Sequence, residues 1–271
     1  MLNYTRLDQI RQMRPLLHCV SNIVSANDCA NLALAIGASP MMAQAAEEME
    51  EITRISSATV LNTGTPDKDR FSVCRLCGSV AKTLGQPLIV DPVGVGASQW
   101  RRKEVEMLLK ESRPTILRVN LGEAEALCHH RCLEQGVDST LEATQEIRLD
   151  LAGELAASYG TVVLLTGEED YITDSRHCFR VSGGSKRTTQ VTGTGCMLSI
   201  LCAAFASVEE DALQAAALAA VFWKICAERA EKNSKGLGSG TFRTELINAA
   251  ELLETKDLEE HGRYRVIRGS H

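Results

Sequence analysis

Aromatic residues are scarce in this chain, since phenylalanine, tryptophan and tyrosine make up only 4% of its 271 residues. Few side chains are therefore available to stack against the bases of a single-stranded nucleic acid. Basic residues are also outnumbered, with 29 Lys and Arg against 35 Asp and Glu, and the formal net charge is −6. Nucleic-acid-binding proteins need a basic surface for phosphate contacts, so we expect no nucleic-acid partner.

The sequence also lacks a hydrophobic segment long enough to cross a membrane. Its longest uncharged stretch, 188–208, opens with threonines, a glutamine and glycines, which leaves an apolar part too short for the ~30 Å of a bilayer core. Residues 1–16 contain three arginines and no apolar stretch of the kind found in secretory signals. We therefore expect a cytoplasmic protein, with no membrane partner, whose ten cysteines stay reduced.

Two groups of cysteines resemble metal ligands. One is the pair Cys74 and Cys77, and the other is the Cys-His-His-Arg-Cys segment 128–132. Structural zinc sites usually combine two such pairs at compatible spacing. Cys74 and Cys77 fall within a predicted helix over 68–84, where cysteines three residues apart act as small apolar side chains. We favour packing roles for both groups over a zinc site.

Short runs rich in Val, Ile and Leu alternate with helical segments along the chain. Four of them have the length and composition of strands: 58–62, 87–91, 115–119 and 161–166. Strands without polar and apolar alternation are typical of a parallel sheet covered on both faces. The sequence thus predicts an α/β fold with a mostly parallel central sheet in a three-layer α/β/α arrangement.

Local signals predict further elements. Ser25 and Asp28 have the spacing of a capping box at the start of a helix that ends near Gly37. Alternating residues over 171–187 predict a β-hairpin or edge pair. Three more helices are expected over 45–56, 211–232 and 241–253, and in the second of these Lys224, Arg229 and Lys232 suit the helix dipole.

No repeat or flexible linker divides the sequence. We therefore expect one domain over residues 1–267. Residues 268–271, with the sequence Arg-Gly-Ser-His, have the composition of an affinity-tag remnant and are excluded from that domain.

A glycine-rich loop, Gly193, Thr194, Gly195 and Cys196, directly precedes an apolar helical segment. Such a loop can hold an anion, because its N–H groups converge and the helix dipole adds positive potential. A tight turn without a ligand is the structural alternative. The position of Cys196 at a helix start favours the thiolate. This thiol could act on a substrate hydroxyl or could be a buried packing residue.

Polar residues follow three of the predicted strands, with Asp91 after one, Arg118, Asn120 and Glu123 around the end of the next, and Thr166 at the last. Open α/β sheets bind ligands at the carboxyl ends of their strands. Asn120 and Glu123 could position the waters of Mg²⁺ or could form a helix cap, while Arg118 could bind phosphate oxygens. The set predicts a site for a nucleoside triphosphate and a small acceptor, although no P-loop is present.

Five segments of the sequence resemble the hydroxyethylthiazole kinase family, whose fold is ribokinase-like. They are 18–24 (HCVSNIV), 37–43 (GASPMMA), 61–65 (LNTGT), 91–94 (DPVG) and 191–199 (VTGTGCMLS). The last is the most specific, since other ribokinase relatives usually have aspartate where Cys196 stands. Two segments depart from the family pattern. Residues 118–123 are RVNLGE where the family usually has Arg-Gly-Asn-x-Ser-Glu, and residues 18–22 are HCVSN where it has His-Asn-Ile-Thr-Asn.

The resemblance implies that ATP, with Mg²⁺, phosphorylates the primary alcohol of 4-methyl-5-(2-hydroxyethyl)thiazole in thiamine biosynthesis or salvage. It implies that Met42 and Gly193 contact the thiazole, with Asn22 and Gly64 nearby, and that Cys196 faces the hydroxyl. A homotrimer with thiazole sites near subunit boundaries is also implied.

On the nucleotide side, the resemblance implies that Arg118 and Thr166 contact ATP. Asp91 and Glu123, with Asn120, would organise the metal and the triphosphate. The N–H groups of Thr194, Gly195 and Cys196 would stabilise the oxygens of the transferred group.

Other activities remain open at this point. A hydroxymethylpyrimidine kinase and a nucleotide-dependent repair enzyme for hydrated NADH share the fold, but a cysteine at position 196 argues against both. A nucleotide-binding sensor without catalysis is the alternative from another class, suggested by the changed residues around Asn120.

Overall fold

A computed structural model of the chain describes residues 1–129 and 144–268. Within these residues nine strands form one sheet, and they are β1 (Leu16–Val20), β2 (Ser39–Met41), β3 (Ala58–Asn62), β4 (Leu88–Asp91), β5 (Ile116–Asn120), β6 (Val162–Thr166), β7 (Asp170–Thr173), β8 (His177–Val181) and β9 (Tyr264–Arg268). Their order is β2-β1-β3-β4-β5-β6-β7-β8-β9. The first six strands pair in parallel, and the last three are added antiparallel.

Helices cover both faces of the sheet. Those described are α1 (Arg6–Met13), α2 (Ala26–Ile36), α3 (Met49–Ile55), α4 (Lys68–Leu84), α5 (Gln99–Ser112), α6 (Leu121–His129), α7 (Gln145–Tyr159), α8 (Thr194–Ala206), α9 (Ala212–Asn233), α10 (Ser239–Leu252) and α11 (Thr255–His261). Helices α3 to α7 pack on one face, and α1, α2 and α8 to α11 pack on the other.

Polar and apolar residues do not alternate along the strands, because an apolar cluster covers each face of the sheet. Ile89 packs in the cluster beneath α2, α8 and α9, whereas its neighbours Leu88 and Val90 pack beneath α3 to α7. Every side chain of β3 and β4 is buried. The predicted three-layer α/β/α architecture with a mostly parallel sheet is confirmed.

The start of α2 differs from its prediction. Ser25 makes no side-chain capping hydrogen bond, so the capping box predicted with Asp28 is wrong. The Asp28 carboxylate instead accepts from Nε of Arg243, at 2.9 Å, which comes from α10 packed against α2. The end of the helix is as expected, since Gly37 has φ +101° and caps it in the left-handed conformation.

The other predicted elements are present, with shifts at their ends. The hairpin is β7 and β8, and the two C-terminal helices are α9 and α10. Helix α3 is shorter than the predicted 45–56, because 46–48 form turns before it. Strand β9 ends at Arg268, which pairs with His177, and residues 269–271 lie outside the described residues.

Cys74 and Cys77 lie on α4 and are fully buried in the apolar cluster between that helix and the sheet. In the second cysteine group, Cys128 is half-buried near the end of α6, and residues 130–132 lie outside the described residues. No described helix has the length and apolar character needed to span a bilayer.

Candidate active site

The predicted site residues meet at the carboxyl edge of the sheet. Neighbouring strands β3, β4, β5 and β6 end there at Asn62, Asp91, Asn120 and Thr166. Helix α8 packs against β3 and β4, so that its first turn faces these strand ends. Gly193 has φ +82° and precedes the helix as its N-cap residue.

The first turn of α8 presents free backbone donors. The first intrahelical bond in this region runs from N of Met197 to O of Gly193, at 2.9 Å. The N–H groups of Thr194, Gly195 and Cys196 precede it and therefore have no partner within the helix. A Cβ on Gly193 would lie 2.8 Å from Cβ of Ser25, so this turn packs closely on the segment after β1 and requires glycine.

Asp91 is fully buried at the centre of the site. Its Oδ2 accepts from Oγ of Ser199 at 2.8 Å and from Nδ2 of Asn62 at 3.1 Å, and its Oδ1 lies 3.5 Å from Nη1 of Arg118. Burial raises the pKa of the carboxyl group, and Arg118 with the two neutral donors opposes that rise. Asp91 is thus a desolvated carboxylate held in one orientation.

Ser199 and Asn62 were not predicted as site residues. Ser199 lies three residues after Cys196 on α8, and it is the one polar side chain in the apolar run Met197–Ala206. A polar residue on the same helical face as a candidate functional residue is a usable signal. Asn62 falls inside one of the segments that carry the family resemblance, but without an assigned role.

Arg118 connects β5, β6 and α8. Its side chain is nearly buried, and Nη2 donates to Oγ1 of Thr166 at 2.9 Å. A Cβ on Gly195 would lie 2.6 Å from Cζ of Arg118, so the guanidinium rests against the first turn of α8 where only glycine fits. Burial disfavours the charged form, but Asp91 and Glu123 outweigh it and raise the pKa of Arg118. Arg118 lines the cavity at this edge of the sheet, and within the described part of the chain its Nε has no hydrogen-bond partner.

Asn120 and Glu123 form a reciprocal cap at the start of α6, which was one of the two interpretations of their spacing. Oδ1 of Asn120 accepts from N of Glu123, and Oε2 of Glu123 accepts from N of Asn120, both at 2.9 Å. Oε1 of Glu123 also accepts from N of Gly94 at 3.1 Å, which fixes the turn after β4. Burial raises the pKa of Glu123 to about 7.

The carboxylate of Glu123 can accept further hydrogen bonds or a metal-bound water in addition to the bonds of the cap. Each carboxylate oxygen can accept two hydrogen bonds, and each receives one from the backbone. Glu123 therefore keeps acceptor capacity at the edge of the site. The cap and the suggested role beside a hydrated metal are compatible.

Cys196 lies on the side of the site opposite Thr166, among amide side chains. Nδ2 of Asn22 lies 3.4 Å from Sγ of Cys196 and donates to Oδ1 of Asn62 at 3.0 Å. Oδ1 of Asn62 also accepts from N of Gly64 at 2.9 Å, and a Cβ on Gly64 would lie 3.0 Å from Asn22. The residues expected near an organic acceptor are thus brought together.

Met42 lies just beyond β2, beside β1, and packs half-buried against the cluster that contains Cys196. It is on the same edge of the sheet as Asn22.

The thiol of Cys196 does not have the lowered pKa predicted from its position. Burial raises the pKa of Cys196, and Asp91 raises it further, while Ser25, Arg118 and Asn62 oppose these effects. The side chain is 9% exposed. Desolvation of a thiolate outweighs the favourable field of one helix terminus, so the thiol is neutral near neutral pH.

A cavity of about 740 Å³ opens on the Thr166 side of the site. Arg118, Asn120, Thr166, Thr194 and Gly195 line its inner end, and Cys196 is not part of its lining. The volume is in the range of small-molecule sites, roughly 300–1,000 Å³. The cavity therefore reaches the free N–H groups of α8 from one side while Cys196 lies beyond them.

The carboxylates fit a metal that is held mainly by a ligand. Within 1–129 and 144–268, no three His, Cys, Asp or Glu side chains come close enough to hold an ion alone. Magnesium commonly uses one or two carboxylates together with phosphate oxygens and water. Asp91 and Glu123 are both buried, both act electrostatically on Arg118 and would supply that donor set, and neither of them lines the cavity.

Comparison with known proteins identifies the family. Residues 7–256 match the hydroxyethylthiazole kinase family. The hydroxyethylthiazole kinase of Clostridium botulinum is 38% identical over 264 residues, covering 96% of this chain and 95% of that protein. The solved structure of the hydroxyethylthiazole kinase protein from Pyrococcus horikoshii superposes with a TM-score of 0.89 at 34% identity, covering 98% of each chain.

A more distant structure shares the fold alone. A ribokinase-like superfamily protein from Enterococcus faecalis superposes with a TM-score of 0.59 at 13% identity, over 92% of this chain and 96% of that one. The resemblance inferred from the sequence motifs is confirmed, as is the ribokinase-like fold. The chain belongs to the hydroxyethylthiazole kinase family.

Proposed function

We propose that this protein transfers the terminal phosphoryl group of ATP to the hydroxyethyl group of 4-methyl-5-(2-hydroxyethyl)thiazole, giving the thiazole phosphate and ADP. This is the reaction expected of a hydroxyethylthiazole kinase, the enzyme after which the relatives are named. The observation that carries the proposal is the position of the first turn of α8. It lies between a cavity lined by Arg118 and Thr166 and the group of Asn22, Gly64 and Cys196.

This geometry separates donor and acceptor sites. ATP in the cavity would place its terminal phosphate against the N–H groups of Thr194, Gly195 and Cys196. The thiazole alcohol would approach from Asn22, Met42, Gly64 and Gly193. The transferred group then lies at the N-terminus of a helix, where the dipole and free donors favour negative charge.

Phosphoryl transfer has a loose transition state, so catalysis depends on alignment and on charge stabilisation more than on covalent chemistry. The α8 amides donate to the oxygens of the moving group, and Arg118 offsets charge on the phosphates. Burial fixes Arg118 between Asp91 and Thr166, so little reorganisation is needed during the reaction.

The neutral thiol of Cys196 has a limited role in proton transfer. We assign it to orienting the acceptor hydroxyl, because its raised pKa makes a thiolate base scarce at neutral pH. Asn22, which contacts the thiol at 3.4 Å, keeps the sulfur in place.

Mg²⁺ is part of the proposal. Asp91 and Glu123 would hold the ion through water and the phosphates, with the Asn120 cap fixing Glu123. When bound, the ion would neutralise charge on the phosphate oxygens.

We further propose a single domain over residues 1–267, a cytoplasmic location, a homotrimeric assembly and no nucleic-acid partner. The assembly is open to a direct test, since sedimentation equilibrium gives the mass of the oligomer. A mass of three chains supports the trimer, and a monomer contradicts it.

Coupled ADP release with a panel of small alcohols tests the activity, with the thiazole alcohol first. The matched control is 4-methyl-5-ethylthiazole, which lacks only the hydroxyl. We expect ADP release with the thiazole alcohol and none with 4-methyl-5-ethylthiazole. ³¹P NMR should identify the product as the thiazole phosphate. Tight ATP binding without ADP release for any alcohol would favour the sensor alternative instead.

A further inference from the structure

Lys224 of α9 makes all three bonds available to its ammonium group inside the cavity wall. Nζ donates to O of Gly167 at 2.9 Å and to O of Glu168 at 3.0 Å, and it lies 3.1 Å from Oδ1 of Asp170. A lysine ammonium has three donors. The ammonium group of Lys224 therefore donates to two carbonyl groups of the turn 167–170 and forms an ion pair with the carboxylate of Asp170.

The turn that Lys224 binds follows β6 and leads into β7. Oδ1 of Asp170 accepts from N of Gly167 at 2.9 Å, which closes the turn on itself. Asp170 is 3% exposed and Lys224 has a side-chain exposure of 12%. The turn is thus fixed from inside by Asp170 and from α9 by Lys224.

The turn begins directly after Thr166, the last residue of β6. Thr166 immediately precedes Gly167, and its Oγ1 accepts from Nη2 of Arg118 at 2.9 Å and donates to O of Val119 at 3.2 Å. A displacement of the turn would move both groups proposed to bind ATP. The bonds of Lys224 and Asp170 lie within this turn or between the turn and α9, whereas Cys196 and Asn22 belong to the proposed acceptor side.

The same helix also fixes the opposite wall. Oε1 of Glu228, one turn after Lys224, accepts from N of Gly184 at 2.8 Å. A Cβ on Gly184 would lie 2.7 Å from Cδ of Lys224, so the loop packs on the lysine stem. Helix α9 therefore holds two cavity walls with two charged residues spaced four apart.

Stability alone does not require a charged pair in this place. Desolvation of a buried ion pair often cancels its attraction, and a well-packed apolar pair can be as stable. An apolar residue at 224 would lose the bonds to the carbonyl groups of Gly167 and Glu168. Those bonds hold Gly167 and Glu168, which line the cavity, against helix α9.

We propose that Lys224 is a positioning residue for the nucleotide: it holds the turn after β6 so that Thr166 and Arg118 meet ATP in the correct geometry. This inference rests on the proposed function for the identity of the ligand. Lys224 acts through the turn, and it affects nucleotide binding more than acceptor binding or the transfer step.

The test compares the full chain with Lys224→Met and with the double variant Lys224→Met, Asp170→Asn. The double variant removes the unpaired buried charge, and asparagine can still accept from N of Gly167. Lys232→Met is the matched control, because Lys232 is an exposed lysine on the same helix. Each protein is measured for thermal unfolding, for calorimetric binding of a non-hydrolysable ATP analogue, and for KM and kcat.

We expect the dissociation constant of the analogue and the KM for ATP to rise about tenfold in Lys224→Met, as for the loss of charge-assisted hydrogen bonds. The KM for the acceptor and kcat should stay within about threefold, a difference of less than 1 kcal/mol. The double variant should regain thermal stability and still bind the analogue weakly. Lys232→Met should match the parent.

The following results would overturn the inference. Unchanged analogue binding in Lys224→Met means that the lysine does not position the nucleotide, and recovered binding in the double variant means that it only neutralises Asp170. A large loss of kcat with unchanged binding makes Lys224 a catalytic residue. If the parent binds the analogue but phosphorylates no alcohol, the proposed function fails while the binding measurements still decide the role of Lys224; a parent that binds no nucleotide overturns both.

Discussion

Ser199 donates a 2.8 Å hydrogen bond from Oγ to Oδ2 of Asp91, across a separation of 108 residues in sequence. The bond connects the helix that begins at the glycine-rich loop with the carboxylate at the end of β4. It sets the distance between the free N–H groups of α8 and the charged groups at the strand ends. The two halves of the site are therefore held together by a buried contact.

Replacing Ser199 tests the importance of that contact. Ser199→Ala should lower kcat by roughly tenfold, since a hydrogen bond to a charged group contributes about 1.5–3 kcal/mol. Ser207→Ala is the control, because Ser207 directly follows the same helix and its Oγ donates to O of Ala204, away from Asp91. Steady-state kinetics with both substrates make the comparison, and equal kcat values for the two variants would contradict the role of Ser199.

Gly195 should not tolerate a side chain. In Gly195→Ala the new Cβ would meet the guanidinium of Arg118, 2.6 Å from Cζ, and displacing that group should raise the KM for ATP by about tenfold or more. Gly153→Ala is the matched control, since Gly153 is also helical and, among the residues that the structure describes, none has an atom within 4 Å of an added Cβ. An unaltered KM for ATP in Gly195→Ala would mean that Arg118 moves without consequence.

Several features of the fold and site were predicted correctly because they depend on local sequence. Strands buried on both faces have apolar runs, and polar residues at the ends of parallel strands meet at one edge. Asp91, Arg118 and Thr166 were found in this way, and the structure brings them together.

The errors concern contacts between distant segments. The predicted capping box at Ser25 and Asp28 was wrong, because the carboxylate of Asp28 accepts a hydrogen bond from Arg243, 215 residues away in sequence. The thiol of Cys196 was assigned a low pKa from its helix position, yet burial by segments far along the chain raises it. Lys224 suits the dipole of α9, but that pattern does not show that its ammonium group binds the turn after β6.

His18 should make folding sensitive to acid. Its side chain is fully buried, Nδ1 lies 3.0 Å from Oγ1 of Thr53, and burial lowers the pKa of His18 to about 4 from 6.5. The unfolded chain therefore binds a proton at a higher pH than the folded protein. The contribution of His18 to the free energy of unfolding should be complete above pH 6.5. It should be lost as the pH decreases towards 4, by at most about 3 kcal/mol.

Urea unfolding between neutral pH and pH 5 measures that loss. His18→Gln should show a weaker decline with acid than the parent, whatever its stability at neutral pH. His177→Gln, at an exposed histidine, should decline like the parent. Parallel curves for His18→Gln and the parent would assign the acid sensitivity to other groups.

Glu123 is expected to govern the response to Mg²⁺. Glu123→Gln removes the charge and leaves one amide oxygen to accept from two backbone N–H groups, so Mg²⁺ should bind more weakly and the rate should need a higher Mg²⁺ concentration to saturate. A titration of rate against the metal concentration measures this. Glu125→Gln on the same helix is the control, and a Glu123→Gln titration that overlays the parent would remove Glu123 from the metal site.

The most direct test of the account is a comparison of Cys196→Ala with the parent in the ADP-release assay, with the thiazole alcohol varied at saturating ATP. In the proposed reaction the acceptor hydroxyl lies at this thiol, next to the first turn of α8. We expect kcat to fall by about a hundredfold, as for the loss of correct positioning of a reacting group, with little change in the KM for the alcohol. An unchanged kcat would contradict it and would assign Cys196 to packing.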